Sequence, residues 1–78
     1  MRINHRALHD QLRKLGYEIY TTNYKLGGHY YHIEGKDDHE YSVEKHNGEK
    51  VVNLYGIGPE IIGIVKEHYQ KQGVKIRE

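Results

Sequence analysis

The chain has 78 residues, a length that suits one small domain. It contains no cysteine, so disulfide bonds, thiolate metal sites and cysteine nucleophiles are excluded. Twelve Lys and Arg residues against 11 Asp and Glu residues give a net charge of +1, which on average provides no attractive field for a polyanion. Because there is neither a long apolar run nor a signal-peptide-like N-terminus, we expect a soluble, cytoplasmic protein.

The first predicted element is a helix over residues 5–15. Asn4 suits its N-cap position, and Gly16 follows where a left-handed residue commonly ends a helix. An apolar stripe at helical spacing consists of Leu8, Leu12 and Leu15. This stripe predicts the face of the helix that packs on the core.

The middle of the chain is rich in β-branched and aromatic residues, which favours strands. Four strands are predicted, over residues 17–22, 29–34, 39–45 and 50–55. Asn47-Gly48 is the strongest hairpin signal, because a type I′ turn needs a positive φ at both central residues. We therefore expect an antiparallel sheet.

A second helix is predicted over residues 59–72, with Pro59 at its first position and Gly73 after its end. Gly63 inside this helix indicates close packing, for instance onto the sheet. Residues 74–77 fit either a short edge strand or a tail.

The resulting fold is α+β, with two helices packed on one face of a three- to four-stranded antiparallel sheet in the order α-β-β-β-β-α. The predicted core consists of Leu8, Leu12, Leu15, Ile19, Ile33, Val43, Ile61, Ile62 and Val65.

The best candidate for chemistry is a histidine that follows a glycine pair, Gly27-Gly28-His29. Histidine exchanges a proton near neutral pH, and glycines let a ligand approach the backbone closely. We expect His29 to act as a general base at the exposed end of its strand, with Lys25 stabilising negative charge. The alternative is a turn histidine that is hydrogen-bonded to a nearby carbonyl.

His5 and His9 lie four residues apart on the predicted helix, a spacing that can bind zinc when a third ligand is present. The sequence places no third ligand beside them, so we interpret the pair as surface histidines that bind metal only adventitiously. No metal and no cofactor is predicted.

All aromatic residues are tyrosines, eight in number. A tyrosine-rich sheet can stack unpaired bases, can fill the edge of a small core or can form a protein interface. Tyr30, next to His29, is the tyrosine that we expect to contact substrate. The tyrosines of the stacking hypothesis are Tyr20, Tyr24, Tyr30, Tyr31, Tyr41 and Tyr55.

Three segments resemble the HicA family, the small ribonuclease toxins of toxin–antitoxin pairs. Leu12-Arg13-Lys14-Leu15-Gly16-Tyr17 is similar to the family's first helix end. Gly27-Gly28-His29 is similar to its Gly-Ser-His signature, with Gly28 in the place of the serine, and Val43-Glu44-Lys45-His46 is similar to its Val-x-x-His.

The resemblance implies a double-stranded-RNA-binding-domain-like α-β-β-β-α fold. It also implies that His29 activates a ribose 2′-hydroxyl for RNA cleavage without metal, and that the partner is a cognate antitoxin. The hypothesis is therefore a small RNA-binding domain that acts as a metal-independent endoribonuclease. The alternative is a non-enzymatic phage- or plasmid-encoded protein that inhibits a host protein through its tyrosine-rich sheet.

Overall fold

Two helices and a five-stranded mixed sheet make up the α+β fold of the computed structural model, which describes residues 3–23 and 28–78. The elements in chain order are α1 (Arg6–Lys14), β1 (Glu18–Asn23), β2 (His29–Glu34), β3 (His39–His46), β4 (Glu49–Gly56), α2 (Ile62–Gln70) and β5 (Lys75–Arg77). None of the helices in these two ranges is long and apolar enough to cross a membrane.

The strands lie in the order β1-β2-β3-β4-β5, and the first four form an antiparallel meander. Asn47 and Gly48 both have positive φ, 51° and 82°, so the predicted turn between β3 and β4 is confirmed. β2 occupies the predicted residues.

The prediction of an antiparallel sheet of three to four strands was wrong in one respect, because β5 adds a fifth strand parallel to β4. The reason is the connection between them: α2 carries the chain back along the sheet, and a strand that follows such a crossover pairs in parallel. Ile76 of β5 lies opposite Val52 and packs against the core.

Both helices pack on the same face of the sheet. Their buried residues Leu8, Leu12, Ile61, Val65 and Tyr69 form one cluster with inward-facing strand residues, among them Tyr31, Ile33, Tyr41, Val43 and Val52. Ile19 and Ile62, which were predicted in the core, are partly buried against this cluster. Within residues 3–23 and 28–78, no helix packs on the other face of the sheet.

Leu15 was predicted in the core, but it is 57% exposed. Helix α1 ends at Lys14, and Gly16 (φ 98°) turns the chain so that the N–H of Tyr17 donates to the carbonyl of Leu12 at 3.1 Å. This turn points Leu15 outward and puts the buried ring of Tyr17 in the core instead.

Helix α2 begins at Ile62, three residues later than predicted, after a turn that includes Pro59. The N–H of Gly58 donates to Nδ1 of His39, which ties the start of this turn to β3. The interpretation of Gly63 was also wrong: it is exposed, and a Cβ at this position would meet no atom within 4 Å.

Candidate active site

His29 is the first residue of β2 and is exposed, opposite Val43 of β3. It points to the same face as Tyr31 and Ile33, which are buried, and stays accessible because it lies at the strand's end. Gly28 immediately before it is buried. Lys25 and Gly27, also predicted at this site, lie outside the described residues.

Tyr30 does not share this site. Successive residues of a strand point to opposite faces, so Tyr30 lies with His32 on the face without helices. The expectation that Tyr30 contacts substrate stays a prediction, and the two side chains lie on opposite faces of the sheet.

An open cavity of about 300 Å³ lies at the side chain of His29. Its polar lining comes from three parts of the chain: the residue before α1, the start of β2 and the hairpin between β3 and β4. The lining consists of Ile3, His5, His29, Tyr31, Val43, Glu44, Lys45 and Lys50. Two histidines, two lysines and one glutamate thus line one space.

The hairpin positions its two lysines by register. Lys45 and Lys50 lie directly opposite each other, and strand alternation puts Lys45 on the same face as Val43. Glu44, which points the other way, bonds to His46 at 3.0 Å. Like charges in a cross-strand pair repel each other, so this pair favours a bound anion.

A second groove of about 460 Å³ continues from the cavity, with Ile3, Lys45 and Lys50 lining both. Lys75 of β5 and Gln72 lie along this extension. The two together form one groove whose charged lining consists of three lysines, Lys45, Lys50 and Lys75, and two glutamates, Glu44 and Glu49.

Behind the cavity, four side chains form a hydrogen-bonded chain into the core. Nδ1 of His5 lies 2.8 Å from the Tyr69 hydroxyl, which lies 2.6 Å from the Tyr41 hydroxyl, which lies 2.9 Å from Nε2 of His9. The ring of Tyr31 packs against both imidazoles, with centroids 5.3 Å from His5 and 4.9 Å from His9. We call the four hydrogen-bonded side chains, those of His5, Tyr69, Tyr41 and His9, the His–Tyr chain.

Burial sets the protonation of the His–Tyr chain. Desolvation, followed by the charge of Lys50, lowers the pKa of His5 to about 4. Desolvation and the neighbouring His5 lower the pKa of His9 to about 4 as well. Burial raises the pKa values of the Tyr41 and Tyr69 phenols, so all four groups are neutral at pH 7.

The interpretation of His5 and His9 as surface histidines was wrong. His9 is buried and His5 half-buried, because this face of α1 packs against the tyrosines of the sheet and of α2. No signal in the sequence pairs these histidines with Tyr41 and Tyr69, which are 32 and 64 residues away from them.

A group of carboxylates and one imidazole at the opposite end of the sheet has the spacing of a metal site. Atoms of Asp37, His39 and Glu60 lie within 4.8 Å of one another. However, Nδ1 of His39 accepts a hydrogen bond from the N–H of Gly58 at 2.9 Å, so the proton of the neutral ring is on Nε2. The buried Nε2 therefore presents a proton, and not a lone pair, toward the Glu60 carboxylate 3.8 Å away.

The tyrosines do not form one stacking platform. Tyr31 and Tyr41 point into the core, Tyr20 and Tyr30 lie on the other face, and Tyr24 lies outside the described residues. The tyrosines of the stacking hypothesis therefore do not all lie on one face of the sheet.

Comparison of the chain with models of protein families, with curated proteins and with solved structures gave no match. The resemblance to the HicA family therefore stays a prediction.

Proposed function

We propose that the groove binds single-stranded RNA and that the protein cleaves it without a metal ion. The observation that carries the proposal is the set of groups around one cavity: His5, His29, Lys45 and Lys50. Cleavage by a ribose 2′-hydroxyl needs a proton acceptor, a proton donor and positive charge beside the phosphate, and this set supplies all three.

In the proposed reaction His29 takes the proton of the 2′-hydroxyl, and the 2′-oxygen bonds to phosphorus. The bond between phosphorus and the 5′-oxygen breaks, and the 5′-oxygen receives a proton from His5. Lys45 and Lys50 stabilise the additional negative charge on the phosphoryl oxygens. The products are a 2′,3′-cyclic phosphate and a 5′-hydroxyl.

The groove favours a single strand as substrate. The backbone of an RNA lying along it would pass the histidines, then the lysine pair, then Lys75. Lysines that meet successive phosphates provide affinity without sequence preference, and such affinity falls steeply with salt. This arrangement places Lys45, Lys50 and Lys75 along one groove, so phosphate contacts there do not require a high net charge of the whole chain.

The test is incubation of the purified protein with a labelled single-stranded RNA in the presence of EDTA. We expect cleavage products that end in a 2′,3′-cyclic phosphate. His29→Ala should lower the rate by about 10²–10⁴-fold, the usual loss for a positioned general base. The matched control is His32→Ala on the same strand, which should retain activity because its side chain lies on the opposite face.

Binding provides a second readout. Lys45→Ala and Lys50→Ala should each weaken RNA binding and reduce its salt dependence, whereas Lys36→Ala should do neither. Lys36 is an exposed lysine in the turn between β2 and β3, away from the groove. Wild-type protein that neither binds nor cuts RNA would rule the proposal out.

A second candidate function, binding of a protein through the uncovered sheet face, is favoured by the exposure of two large rings. Tyr20 is 53% exposed on that face, and Tyr55, beside the irregularity in the β3–β4 register, is 71% exposed. Double substitution of these tyrosines by serine separates the two functions: it should abolish protein binding and leave RNA cleavage at the wild-type rate.

A further inference from the structure

The four side chains of the His–Tyr chain come from three different elements and from the residue that precedes α1. Tyr41 comes from β3, Tyr69 from α2, His9 from α1 and His5 from the position just before α1. Tyr41 and Tyr69 are 1% and 0% exposed, so the hydroxyls have no solvent to bond with. The chain begins in the cavity at His5 and ends in the core at His9.

The protons of this chain must all point the same way. A phenol has one proton, and two hydroxyl oxygens 2.6 Å apart need one proton between them. If Tyr69 donates to Tyr41, then Tyr41 must donate to His9 and His5 must donate to Tyr69. If Tyr41 donates to Tyr69, every bond is reversed.

We propose that Tyr69 and Tyr41 form a proton relay between His5 and His9, which lets His5 give or take a proton at its cavity-side nitrogen while remaining neutral. The relay itself is a property of the core. Its role in catalysis, with His5 as the proton donor, rests on the function proposed above.

Each group of the His–Tyr chain that gives up a proton receives one from the next group or, at His9, from solvent. In the donor arrangement His5 carries its proton on Nε2, and Tyr69 donates to its Nδ1. When Nε2 releases its proton to the leaving oxygen, the Tyr69 proton moves to Nδ1 of His5. The Tyr41 proton moves to Tyr69, the Nε2 proton of His9 moves to Tyr41, and Nδ1 of His9 takes up a proton from solvent.

This transfer solves a problem that His5 would otherwise have. Its pKa of about 4 makes the ring neutral at pH 7, and a neutral imidazole that loses its single proton would become an anion. A simultaneous proton at Nδ1 removes that cost. Among the described residues, the buried side-chain atom without a hydrogen bond is Nε2 of His39, so neither outer nitrogen of His5 or His9 is an unpaired group sealed in the core.

Nuclear magnetic resonance of ¹⁵N-histidine-labelled wild-type protein tests the relay directly. The two proton arrangements place the protons of both rings on Nδ1, or both on Nε2. We therefore expect the fraction of the Nδ1–H tautomer at His5 to equal that at His9. Unequal fractions, or one ring on Nδ1 and the other on Nε2, would overturn the relay without any need for a variant.

Tyr41→Phe adds a test at a distance, because Tyr41 is not bonded to His5. The Tyr69 hydroxyl then has Nδ1 of His5 as its remaining acceptor, so any Nδ1–H fraction at His5 should vanish. The control is Tyr31→Phe, which removes a hydroxyl from a ring that packs on both histidines but takes no part in the three bonds. An equal change of the His5 tautomer in both variants would contradict the relay.

Activity is the final readout and depends on RNA cleavage being observed. Tyr41→Phe should lower kcat about 10-fold or more with KM unchanged, because Tyr41 is buried and does not contact substrate. If wild-type protein does not cleave RNA, the proposed function fails and the tautomer measurement still decides the relay. If RNA is cleaved but the tautomers are independent, the relay alone fails.

Discussion

The hydroxyl groups of Tyr41 and Tyr69 lie 2.6 Å apart in the core and join the sheet to the second helix. A hydrogen bond between two phenols leaves each with one further partner to find, and the two histidines of the N-terminal segment supply these partners. The polar groups of this core are therefore satisfied by one another, which is what their burial requires. Burial of the two imidazoles, and not these bonds, keeps both rings neutral.

Acid should destabilise the protein through these two histidines. Their pKa values are about 4 in the folded protein and about 6.5 in the unfolded chain, so between these pH values the unfolded chain binds more protons. The stability that neutrality provides is complete above pH 6.5 and is lost as the pH falls toward 4. Because His5 is only half-buried, we expect a slope below the limit of about 1.4 kcal/mol per pH unit for each histidine.

Urea unfolding at a series of pH values measures this slope. His5→Gln should reduce it, since one of the two titrating rings is removed. A free energy of unfolding that is constant between pH 7 and pH 5 would refute the prediction.

The two leucines at the end of α1 should differ sharply in their contribution to stability. Leu12 is fully buried, and Leu12→Ala should cost about 2–5 kcal/mol because it removes buried methyl groups and leaves a cavity. Leu15→Ala, in the next turn of the chain, should change the free energy of unfolding by less than about 0.5 kcal/mol. Chemical denaturation of both variants makes the comparison, and similar costs would show that the end of the helix is wrongly placed.

Two glycines near α2 should respond in opposite directions to alanine. Gly63 lies within the helix with open space around it, so Gly63→Ala should stabilise the protein by about 0.5–1 kcal/mol. Gly73 has the same open space but a φ of +72°, and Gly73→Ala should destabilise by about 1–2 kcal/mol. Thermal unfolding separates them, because the backbone angle is the main difference between the two sites.

Chelation should leave stability unchanged. A structural metal ion contributes folding free energy, so its removal lowers the melting temperature. Here Nδ1 of His5 and Nε2 of His9 are hydrogen-bonded to tyrosine hydroxyls. The tautomer of His39 directs a proton toward the neighbouring carboxylates of Asp37 and Glu60. Melting curves with and without EDTA should coincide, and a decrease of several degrees would show that one of these histidines holds a metal.

Local signals were enough to predict most of the elements. The Asn47-Gly48 turn defines the register of β3 and β4, and alternation along β2 places His29 on the side of Ile33. One failure depended on partners distant in sequence, and another on the local geometry of a helix end. The parallel pairing of β5 with β4 arises from the path of α2. Leu15 points outward because the turn that follows α1 begins one residue earlier than predicted, so the helix ends at Lys14.

Only part of the candidate site could likewise be predicted from local sequence signals. The exposure of His29 at a strand end follows from its position after the glycines, which the sequence displays. The His–Tyr chain does not follow from any local pattern, because an i, i+4 histidine pair has the same spacing whether it faces solvent or tyrosine hydroxyls. Lys45 and Lys50 become a pair only after the hairpin brings them together.

The three residues of β5 have a consequence for how the protein behaves at high concentration. β4 contains Val51, Val52 and Leu54, and without a neighbour its outer edge would be a long apolar strand with free N–H and C=O groups, the kind of edge that recruits other chains. β5 occupies that edge and flanks Ile76 with the charges of Lys75 and Arg77. Resistance to edge-to-edge aggregation on this side of the sheet is thus concentrated in one short segment, and its loss should let copies of the protein associate through β4.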